Sequence, residues 1–435
     1  MTQASSSAAS FAQLGIIAPL LNRLTELAYV SPTPVQAATI PAVLAGRDVL
    51  AGANTGSGKT AAFAVPLLQQ LVEAKTDDKT GAYVRCLVLV PTRELAQQVA
   101  DSFLSYASHL NGKLKIVAAF GGVSVNAQMQ SLRAGADVLV ATPGRLLDLL
   151  SSNAIKLNRV SALVLDEADR MLSLGFTEEL AQVLDALPAK KQTLLFSATF
   201  PEEVRELTAK LLNDPLEYQF QSEQESTIHQ RVITVNRPMK TALLAHLIKE
   251  HQWSQALIFV SAKNTCNHLA QKLSKRGISA EVFHGDKAQG ARTRVLDGFK
   301  NGEISVLIAT DIAARGIDID KLPVVINFDL PRSPADYMHR IGRSGRAGEA
   351  GLAVTLISHE DYHHFGVIEK KNKLKLVREQ IVGFEADDEM PAELLEQAKP
   401  VAKPEGTGKK NVNSYRLPML NFGVKNLKSL ETSYS

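Results

Sequence analysis

The chain has 435 residues, 45% of them hydrophobic and 21% charged, and its formal net charge is +3. This balance is typical of a globular protein of two or three domains, and it does not by itself indicate a nucleic-acid partner. The two cysteines, Cys86 and Cys266, exclude a disulfide framework or a cysteine-based metal cluster and fit a reducing cytosol. Because no apolar stretch approaches about 20 residues and no signal-peptide pattern opens the chain, we expect a cytoplasmic protein without a membrane span.

The N-terminal segment combines an isolated aromatic residue with a candidate base-reading amide. Residues 1–10 predict a disordered lead, Phe11 stands alone after it, and residues 18–27 predict an amphipathic helix. After a turn fixed by prolines, Gln36 lies near the start of the next helix. Its amide carries a donor and an acceptor, the pairing that reads the N6/N7 edge of adenine, although a glutamine on a surface helix is ordinarily just solvated.

A glycine-rich turn then separates a predicted strand at residues 49–51 from a predicted helix that begins near residue 61. Strand, glycine-rich turn and helix form the context of a phosphate-binding loop, in which backbone N–H groups converge on phosphate oxygens. Lys59 can reach the β- and γ-phosphates, and Thr60 can offer its hydroxyl to Mg²⁺. The residues of this turn are Ala53, Asn54, Thr55, Gly56, Ser57, Gly58, Lys59 and Thr60.

Short apolar runs alternate with amphipathic helices through residue 220. This pattern predicts a parallel sheet covered by helices on both faces, and so a first α/β domain over residues 11–220. Ligands of such sheets bind beyond the carboxyl ends of the strands, where polar clusters occur five times. The predicted strands cover residues 49–51, 84–90, 116–120, 137–141, 162–165, 193–196 and 216–220. The polar clusters that follow them cover residues 92–94, 121–122, 142–145, 166–169 and 197–199.

The second half of the chain repeats this alternation without a phosphate loop of its own. Residues 221–229 predict a linker, residues 230–389 a second α/β domain, and residues 390–435 a partly disordered tail. Its predicted strands cover residues 231–235, 256–260, 280–283, 305–309, 324–328 and 353–357. Its polar clusters cover residues 289–292, 310–311, 315–318 and 339–346.

Acidic and basic residues in these clusters can carry the chemistry of phosphate hydrolysis. We expect Asp166 to hold Mg²⁺ and Glu167 to polarise the water that attacks the γ-phosphate. The alternative, a pair that only caps a helix, is disfavoured by the phosphate loop upstream. Arg343 and Arg346 are three residues apart, and on a helix they would face the same side. They could stabilise transition-state charge from the neighbouring domain, whereas most arginine pairs only form a solvated basic face.

Read together, these clusters resemble the DEAD-box family of RNA-dependent ATPases, within helicase superfamily two. The match covers about residues 11–365, with Asn54 where glutamine is frequent and Ser344 where threonine is frequent. Residues 284–292 and 383–385 are similar to the bacterial RhlE-type subfamily. The resemblance rests on Phe11 and residues 33–36, 53–60, 91–95, 121–122, 142–145, 166–169, 197–199, 289–292, 309–318 and 339–346.

The resemblance implies two tandem RecA-like domains with ATP and Mg²⁺ in the cleft between them. It implies that Gln36 selects adenine, with Phe11 and Tyr29 packed around the base, and that Asp318 reaches the ribose. His339 would lie beside the γ-phosphate, and Arg343 and Arg346 would complete the site. The residues implied to link ATP state to domain closure are Asp169, Ser197 and Thr199. Those implied to touch one RNA strand are Thr92, Arg93, Gly122, Thr142, Arg145, Gly285, Gln289, Arg292 and Thr310.

The expected function is therefore that of an ATP-dependent RNA helicase, an RNA-stimulated ATPase that binds one strand through its backbone and separates short duplexes. We expect a monomer that acts on ribosomal-precursor or RNA-decay assemblies. A translocating DNA helicase or another P-loop motor would lack the element formed by Phe11 and Gln36. A GTPase is disfavoured because residues 372–375 lack the acidic residue that reads guanine. An ATP-gated RNA clamp would use the same residues, so this alternative stays open.

Overall fold

The computed structural model describes residues 10–53, 56–74, 82–219, 228–314, 319, 322–345 and 351–387. Residues up to Asp387 form one compact unit, which contains two sheets of seven strands each. The predicted tail, and most of the predicted lead and linker, lie outside the described residues. Their character and the domain boundaries therefore stay predictions. No helix in the described part of the chain has both the length and the apolar character needed to cross a bilayer.

The first sheet is built from short apolar runs that are buried on both faces, as parallel strands covered by helices require. Its strands are β1 (Val49–Gly52), β2 (Val84–Leu89), β3 (Ile116–Ala119), β4 (Ala136–Ala141), β5 (Ala162–Asp166), β6 (Gln192–Ser197) and β7 (Leu216–Gln219). They lie in the order β3-β4-β2-β5-β6-β1-β7, and every pairing is parallel. All their carboxyl ends consequently meet at one edge, where the predicted polar clusters follow.

Helices cover both faces of this sheet; the described residues form four on one side and five on the other. The first four bury a core that includes Phe63, Phe103 and Phe196, and the rest bury a second core on the opposite face. They are α1 (Ala18–Glu26), α2 (Pro34–Leu44), α3 (Lys59–Glu73), α4 (Arg93–Ala107), α5 (Val125–Leu132), α6 (Pro143–Ser151), α7 (Ala168–Ser173), α8 (Thr177–Asp185) and α9 (Glu202–Leu211).

The second sheet has the same connectivity as the first. Its strands are β8 (Ile228–Thr234), β9 (Ala256–Val260), β10 (Glu281–Phe283), β11 (Val306–Thr310), β12 (Val324–Asn327), β13 (Gly351–Ile357) and β14 (Arg378–Glu379). Their order is β10-β11-β9-β12-β13-β8-β14. When the strands of each sheet are numbered from 1 to 7 along the chain, both sheets have the order 3-4-2-5-6-1-7. The strand β8 therefore occupies the position in the second sheet that β1 occupies in the first. The two halves are thus equivalent in fold although the sequence contains no close repeat.

The helices that cover the second sheet in the described part of the chain are α10 (Lys240–His251), α11 (Lys263–Ser274), α12 (Gln289–Lys300), α13 (Asp311–Ala314), α14 (Pro334–Ile341) and α15 (Tyr362–Asn372). Short 3₁₀ turns occupy residues 237–239 and 359–361. Arg340 ties α14 to the sheet, because it pairs with both carboxylate oxygens of Asp311 at 2.6 and 2.7 Å and donates to Asn327 Oδ1. This buried network fixes the helix that carries His339 and ends just before Arg343.

The predicted fold class is confirmed: both sheets are parallel and covered on both faces. The short elements α7, α13 and β14 were not predicted. A helix of six residues and a strand of two are too short to give a periodic hydrophobic pattern.

Candidate nucleotide and nucleic-acid site

The phosphate loop brings the ammonium group of Lys59 into the protein interior. Gly56 and Gly58 have φ of 74° and 91°, in the left-handed region that glycine adopts without strain. Lys59 opens α3, and its Nζ lies 4.0 Å from Asp166 Oδ1 and makes no hydrogen bond within the described residues. A buried cation with unused donors at a helix N-terminus is suited to bind phosphate oxygens.

The flanks of this loop agree with the same role. Ala53 continues from β1, and its N–H donates to Ser197 O at 3.0 Å, which fixes the strand end from which the loop departs. Thr60 is half-buried in the first turn of α3, next to Lys59, and Ser57 is half-buried in the loop. A hydroxyl in this position can serve as one ligand of a Mg²⁺ that also binds phosphate.

Gln36 joins the predicted base-reading segment to the phosphate loop. Its Oε1 accepts a hydrogen bond from Thr33 N at 2.9 Å, and its Nε2 donates to Gly58 O at 3.1 Å. A Cβ at position 58 would overlap the Gln36 amide, so this contact needs glycine. The amide retains one further proton on nitrogen and one further lone pair on oxygen, which is what the N6/N7 edge of adenine requires.

Phe11 and Tyr29 contact each other. Their rings meet edge to face with centroids 6.3 Å apart, and the Tyr29 hydroxyl lies 2.8 Å from the hydroxyl of Tyr106 in α4. Phe11 is buried and Tyr29 is half-buried. This contact places an aromatic wall near α2, and its role against a purine base stays a prediction.

Asp166 and Glu167 stand where β5 ends, close to the phosphate loop. Asp166 Oδ1 accepts a hydrogen bond from Glu167 N at 3.0 Å. Burial raises the pKa of Asp166 to about 6, although the nearby charge of Lys59 acts in the opposite direction. Glu167 has φ of 54°, a conformation that is strained for a residue with a Cβ and that recurs at functional sites.

Asp166 and Thr60 fit a Mg²⁺ site. A carboxylate whose charged form is disfavoured by burial is stabilised when a divalent cation binds beside it. No cluster of three or more acidic, histidine or cysteine side chains occurs in the described ranges. Mg²⁺ does not need one, because it is bound by one or two carboxylates together with substrate phosphates and water.

Asp169 links the end of β5 to the end of β6. Its Oδ2 accepts from the backbone N and the hydroxyl of Thr199, at 3.0 and 2.6 Å. Its own N–H donates to Ser197 Oγ at 3.2 Å, and that hydroxyl donates to Thr199 O at 2.7 Å. The three residues predicted to act in coupling therefore form one hydrogen-bond network. Whether this network transmits the ATP state stays a prediction.

His339 and Arg343 approach this region from the second domain. His339 lies on α14, and burial lowers its pKa, while the charges of Asp169 and Glu167 oppose that effect. Arg343 follows α14 and is buried. Side chains of the second domain thus face the carboxylates of the first. Of the predicted site residues, Asn54, Thr55, Asp318 and Arg346 lie outside the described residues.

The residues predicted to contact RNA from the first domain lie in turns after the strands. Thr92 caps α4, because its Oγ1 accepts a hydrogen bond from Leu95 N. This hydroxyl therefore has a structural role. Thr142 precedes α6 but makes no capping hydrogen bond, so helix capping does not explain it. Arg145 donates to Val123 O at 3.2 Å and to Gln128 Oε1 at 2.7 Å.

Arg93 packs against the glycine turn after β3. Gly122 has φ of +83°, and a Cβ there would overlap the Arg93 guanidinium. Arg93 and Gly122 thus place a guanidinium group and a backbone without a side chain side by side. This arrangement suits contact with a sugar-phosphate backbone.

The residues predicted to contact RNA from the second domain divide into two groups. Gly285 and Thr310 line the cleft between the domains. Arg292 is instead buried in an ion pair with Glu94, at 2.8 Å, and Gln289 donates to the same carboxylate at 3.3 Å. Glu94 lies in α4 of the first domain, so these two side chains bridge the domains in this structure. Their contact with RNA stays a prediction.

A cavity of about 1000 Å³ lies between the two domains. Its wall includes Asp169 and Thr199 of the first domain, and Gly285, Thr310 and His339 of the second. The cleft is thus lined both by residues predicted to act on ATP and by residues predicted to touch RNA.

Comparison with known proteins agrees with this geometry. A family model described as DEAD/DEAH box helicase matches residues 33–207, and one described as Helicase conserved C-terminal domain matches residues 239–348. The ATP-dependent RNA helicase DbpA of Escherichia coli K12 is 42% identical over 369 residues, which cover 84% of this chain and 79% of that protein. The chain belongs to the DEAD-box helicase family.

Other DEAD-box relatives extend beyond the matched region. DeaD of Mycobacterium tuberculosis H37Rv is 42% identical over 377 residues, 86% of this chain but 65% of that protein. DeaD of Escherichia coli K12 is 40% identical over 84% of this chain, and the chain spans 58% of its length. The narrower RhlE-type assignment stays a prediction.

Solved DEAD-box structures share the arrangement of both domains. Mss116p bound to single-stranded RNA and AMP-PNP is 29% identical with a TM-score of 0.78, covering 92% of this chain and 84% of that chain. S. cerevisiae Dbp5 bound to RNA and ADP BeF3 is 29% identical with a TM-score of 0.73, covering 85% and 95%. Both of these solved structures hold RNA, one together with AMP-PNP and the other with ADP BeF3.

Sequence analysis assigned no role to three charged residues that lie between the DEAD-box domains: Glu94, Arg170 and Asp336. Glu94 immediately follows Arg93 and Arg170 immediately follows Asp169 in their clusters, and Asp336 lies one helical turn before His339. Because each of these residues lies close in sequence to a predicted site residue, the sequence could have indicated them as site residues. It could not have indicated which residues they pair with, because each partner lies on the other domain.

Proposed function

We propose that this DEAD-box protein is an RNA-stimulated ATPase that couples ATP binding and hydrolysis to local RNA duplex unwinding or remodelling of RNA–protein complexes. The observation that carries this proposal is the composition of the cleft. Lys59 and the carboxylates of Asp166 and Glu167 come from one domain, and His339 and Arg343 come from the other. Hydrolysis would then depend on domain closure, which RNA bound across both domains can favour.

Each side chain has a defined part in this mechanism. Lys59 binds the β- and γ-phosphates, and Glu167 orients the attacking water. Asp166 and Thr60 would hold Mg²⁺, which when bound neutralises charge that develops on the phosphate oxygens. Arg343, together with Arg346, stabilises the transition-state charge from the second domain. Gln36 contacts the adenine edge and also donates a hydrogen bond to Gly58 O of the phosphate loop. This residue therefore links base recognition to phosphate binding.

RNA is proposed to bind through its backbone along the turns that follow the strands of both domains. Contacts of this kind are independent of sequence and depend strongly on salt. A strand held in one closed path cannot keep its duplex partner, so closure separates a few base pairs. We propose further that the protein acts as a cytoplasmic monomer on ribosomal-precursor or RNA-decay assemblies, as expected from the sequence.

The test is the ATPase rate with single-stranded RNA, with single-stranded DNA and without nucleic acid. We expect strong stimulation by RNA and little by DNA, together with ATP-dependent separation of a short RNA duplex. Equal stimulation by DNA would favour a DNA motor. RNA-stimulated hydrolysis without strand separation would favour an ATP-gated clamp.

Glu167→Gln tests the proposed hydrolytic role directly. The variant should bind ATP and RNA yet hydrolyse ATP on the order of 10²-fold more slowly, because the water loses its positioning carboxylate. Glu178→Gln, which removes the same charge from an exposed site on α8, is the matched control and should turn over normally. Turnover near that of the parent protein in Glu167→Gln would refute the assignment.

A further inference from the structure

An ion pair between Arg170 and Asp336 joins the two domains beside the cleft. Arg170 lies on α7 of the first domain and Asp336 in the first turn of α14 of the second. Arg170 Nη1 lies 3.7 Å from Asp336 Oδ1, and the two side chains are 9% and 16% exposed. Because water screens this pair only partly, its attraction is stronger than that of a pair on the open surface.

The position of each partner in the chain makes the ion pair relevant to the reaction. Arg170 directly follows Asp169 and lies three residues after Glu167. Asp336 and His339 are three residues apart on α14, so they lie on the same face of that helix. The ion pair therefore holds the face of α14 that carries His339 against the segment that carries Glu167.

We propose that Arg170 and Asp336 are positioning residues that stabilise the closed form and thereby align His339 and Arg343 with the nucleotide held by the first domain. The proposal rests on the proposed ATPase function. The ion pair forms only when the domains meet, so its whole interaction free energy favours the closed form. Neither side chain is needed for the first domain to bind nucleotide by itself.

Ion pairs inside one domain provide the contrast. Arg231 and Glu379 pair at 2.8 Å between β8 and β14, with side chains 20% and 35% exposed. This pair stabilises the second domain in any arrangement of the two domains. Its loss should lower the unfolding temperature without changing the balance between open and closed forms.

Charge reversal tests the proposal in the full chain. Arg170→Glu and Asp336→Arg should each raise the KM for RNA in the ATPase assay by about tenfold, because each removes a contact that couples domain closure to RNA binding. The affinity for a fluorescent ATP analogue without RNA should not change, since the phosphate loop and Gln36 belong to the first domain. The double variant, which restores opposite charges, should recover most of the lost RNA response.

Domain closure can be followed directly by energy transfer between dyes attached to Ser152→Cys and Ser274→Cys, which are exposed sites on different domains. The native Cys86 and Cys266 are buried, and burial raises the pKa of both thiols to about 12, so they should not compete for the dyes. With RNA and an ATP analogue, each single reversal should lower energy transfer and the double reversal should restore it.

Two further variants and the unmodified protein separate the possible outcomes. Glu379→Gln should leave the KM for RNA and the energy transfer unchanged. Asp336→Asn keeps the size of the side chain and guards against misfolding of the reversed variants. Unchanged closure and KM in Asp336→Asn would overturn the proposal, and so would a folded double variant no better than the single ones. An unmodified protein whose ATPase ignores RNA would instead refute the proposed function.

Discussion

Asp166 lies in an environment that disfavours its own negative charge. It is buried, and its pKa is raised from 3.8 to about 6 by that burial in spite of Lys59. A buried carboxylate lowers the free energy of unfolding when it is ionised, and a cation that binds to it offsets this loss. Function and stability therefore act against each other at this position.

Asp166→Asn should stabilise the ligand-free protein at pH 7 while it abolishes ATP hydrolysis. Ionisation of Asp166 lowers the free energy of unfolding by at most about 3 kcal/mol. This loss is absent below pH 4, where the carboxyl is protonated in both the folded and the unfolded protein. It grows between pH 4 and 6 and reaches its full size above pH 6. The gain in unfolding free energy of the variant should therefore be largest at pH 7 and vanish near pH 4. Denaturant unfolding at several pH values measures it.

The control for this prediction is Asp185→Asn, which removes a carboxylate from an exposed site at the end of α8. It should change the unfolding free energy little at either pH. A gain for Asp166→Asn that is the same at pH 4 and pH 7 would contradict the burial argument.

Gln36→Ala should reduce the preference for ATP over GTP by about tenfold, because a bidentate amide contact to adenine is lost. Competition between the two nucleotides in the ATPase assay measures this ratio. Gln97→Ala, on the exposed side of α4, is the matched control. Unchanged discrimination in Gln36→Ala would leave the amide with only its structural bonds to Thr33 and Gly58.

Residue pairs divide into those that the sequence could predict and those that it could not. Lys59 with Asp166 and Asp169 with Thr199 follow from a simple rule, since carboxyl ends of parallel strands meet at one edge. The pairing of Arg292 with Glu94 depends on how two separate domains meet. No local pattern encodes that arrangement, so only the structure reveals it.

At the scale of elements, the turn after β3 shows how a glycine can serve a neighbouring side chain. Gly122→Ala would put a Cβ where the Arg93 guanidinium lies, and it would also strain a backbone with φ of +83°. We expect RNA affinity to fall by about tenfold through displacement of Arg93, with ATP affinity unchanged. Binding of a labelled single strand measures the first quantity.

Gly366→Ala is the control for that substitution, because a Cβ at this position in α15 meets nothing within 4 Å. It should preserve RNA affinity. If Gly122→Ala also binds RNA normally, Arg93 does not contact the strand.

Most elements could be predicted because their pattern is repetitive, and the exceptions have physical causes. The strands of both sheets appear as apolar runs between polar clusters, which is the pattern of strands buried on both faces. By contrast, β14 is held by Arg231 and Glu379, a contact across 148 positions of the chain. Its place in the sheet depends on long-range contacts with β8, which include this ion pair and the parallel pairing of the two strands.

At the scale of the whole molecule, one connectivity is used twice for different purposes. The strand β8 occupies the position of β1, but no glycine-rich loop follows it. The second domain is thus built like a nucleotide-binding domain without the means to bind phosphate there. It contributes His339 to the cavity between the domains. We predict that Arg343 acts with it, so that one reaction site needs both copies of the fold.

The compact unit that ends at Asp387 should carry the core activity alone. A chain that ends after residue 389 should keep its RNA-stimulated ATPase, while its RNA affinity should fall because the lysines of the tail are removed. A shorter chain that ends after Lys373 should unfold at a lower temperature, because it loses Leu374 and Leu376 from the core beside α15 and the partner of Arg231.

Thermal unfolding and ATPase rates of the two truncated chains together test which part of the chain is needed for folding and for activity. Activity in the longer chain and instability in the shorter one would place the end of the working structure between these two points. A longer chain that is folded but inactive would show instead that the tail belongs to the catalytic unit. The two truncations differ by only sixteen residues, so a loss confined to the shorter chain must come from β14 and the segment around it.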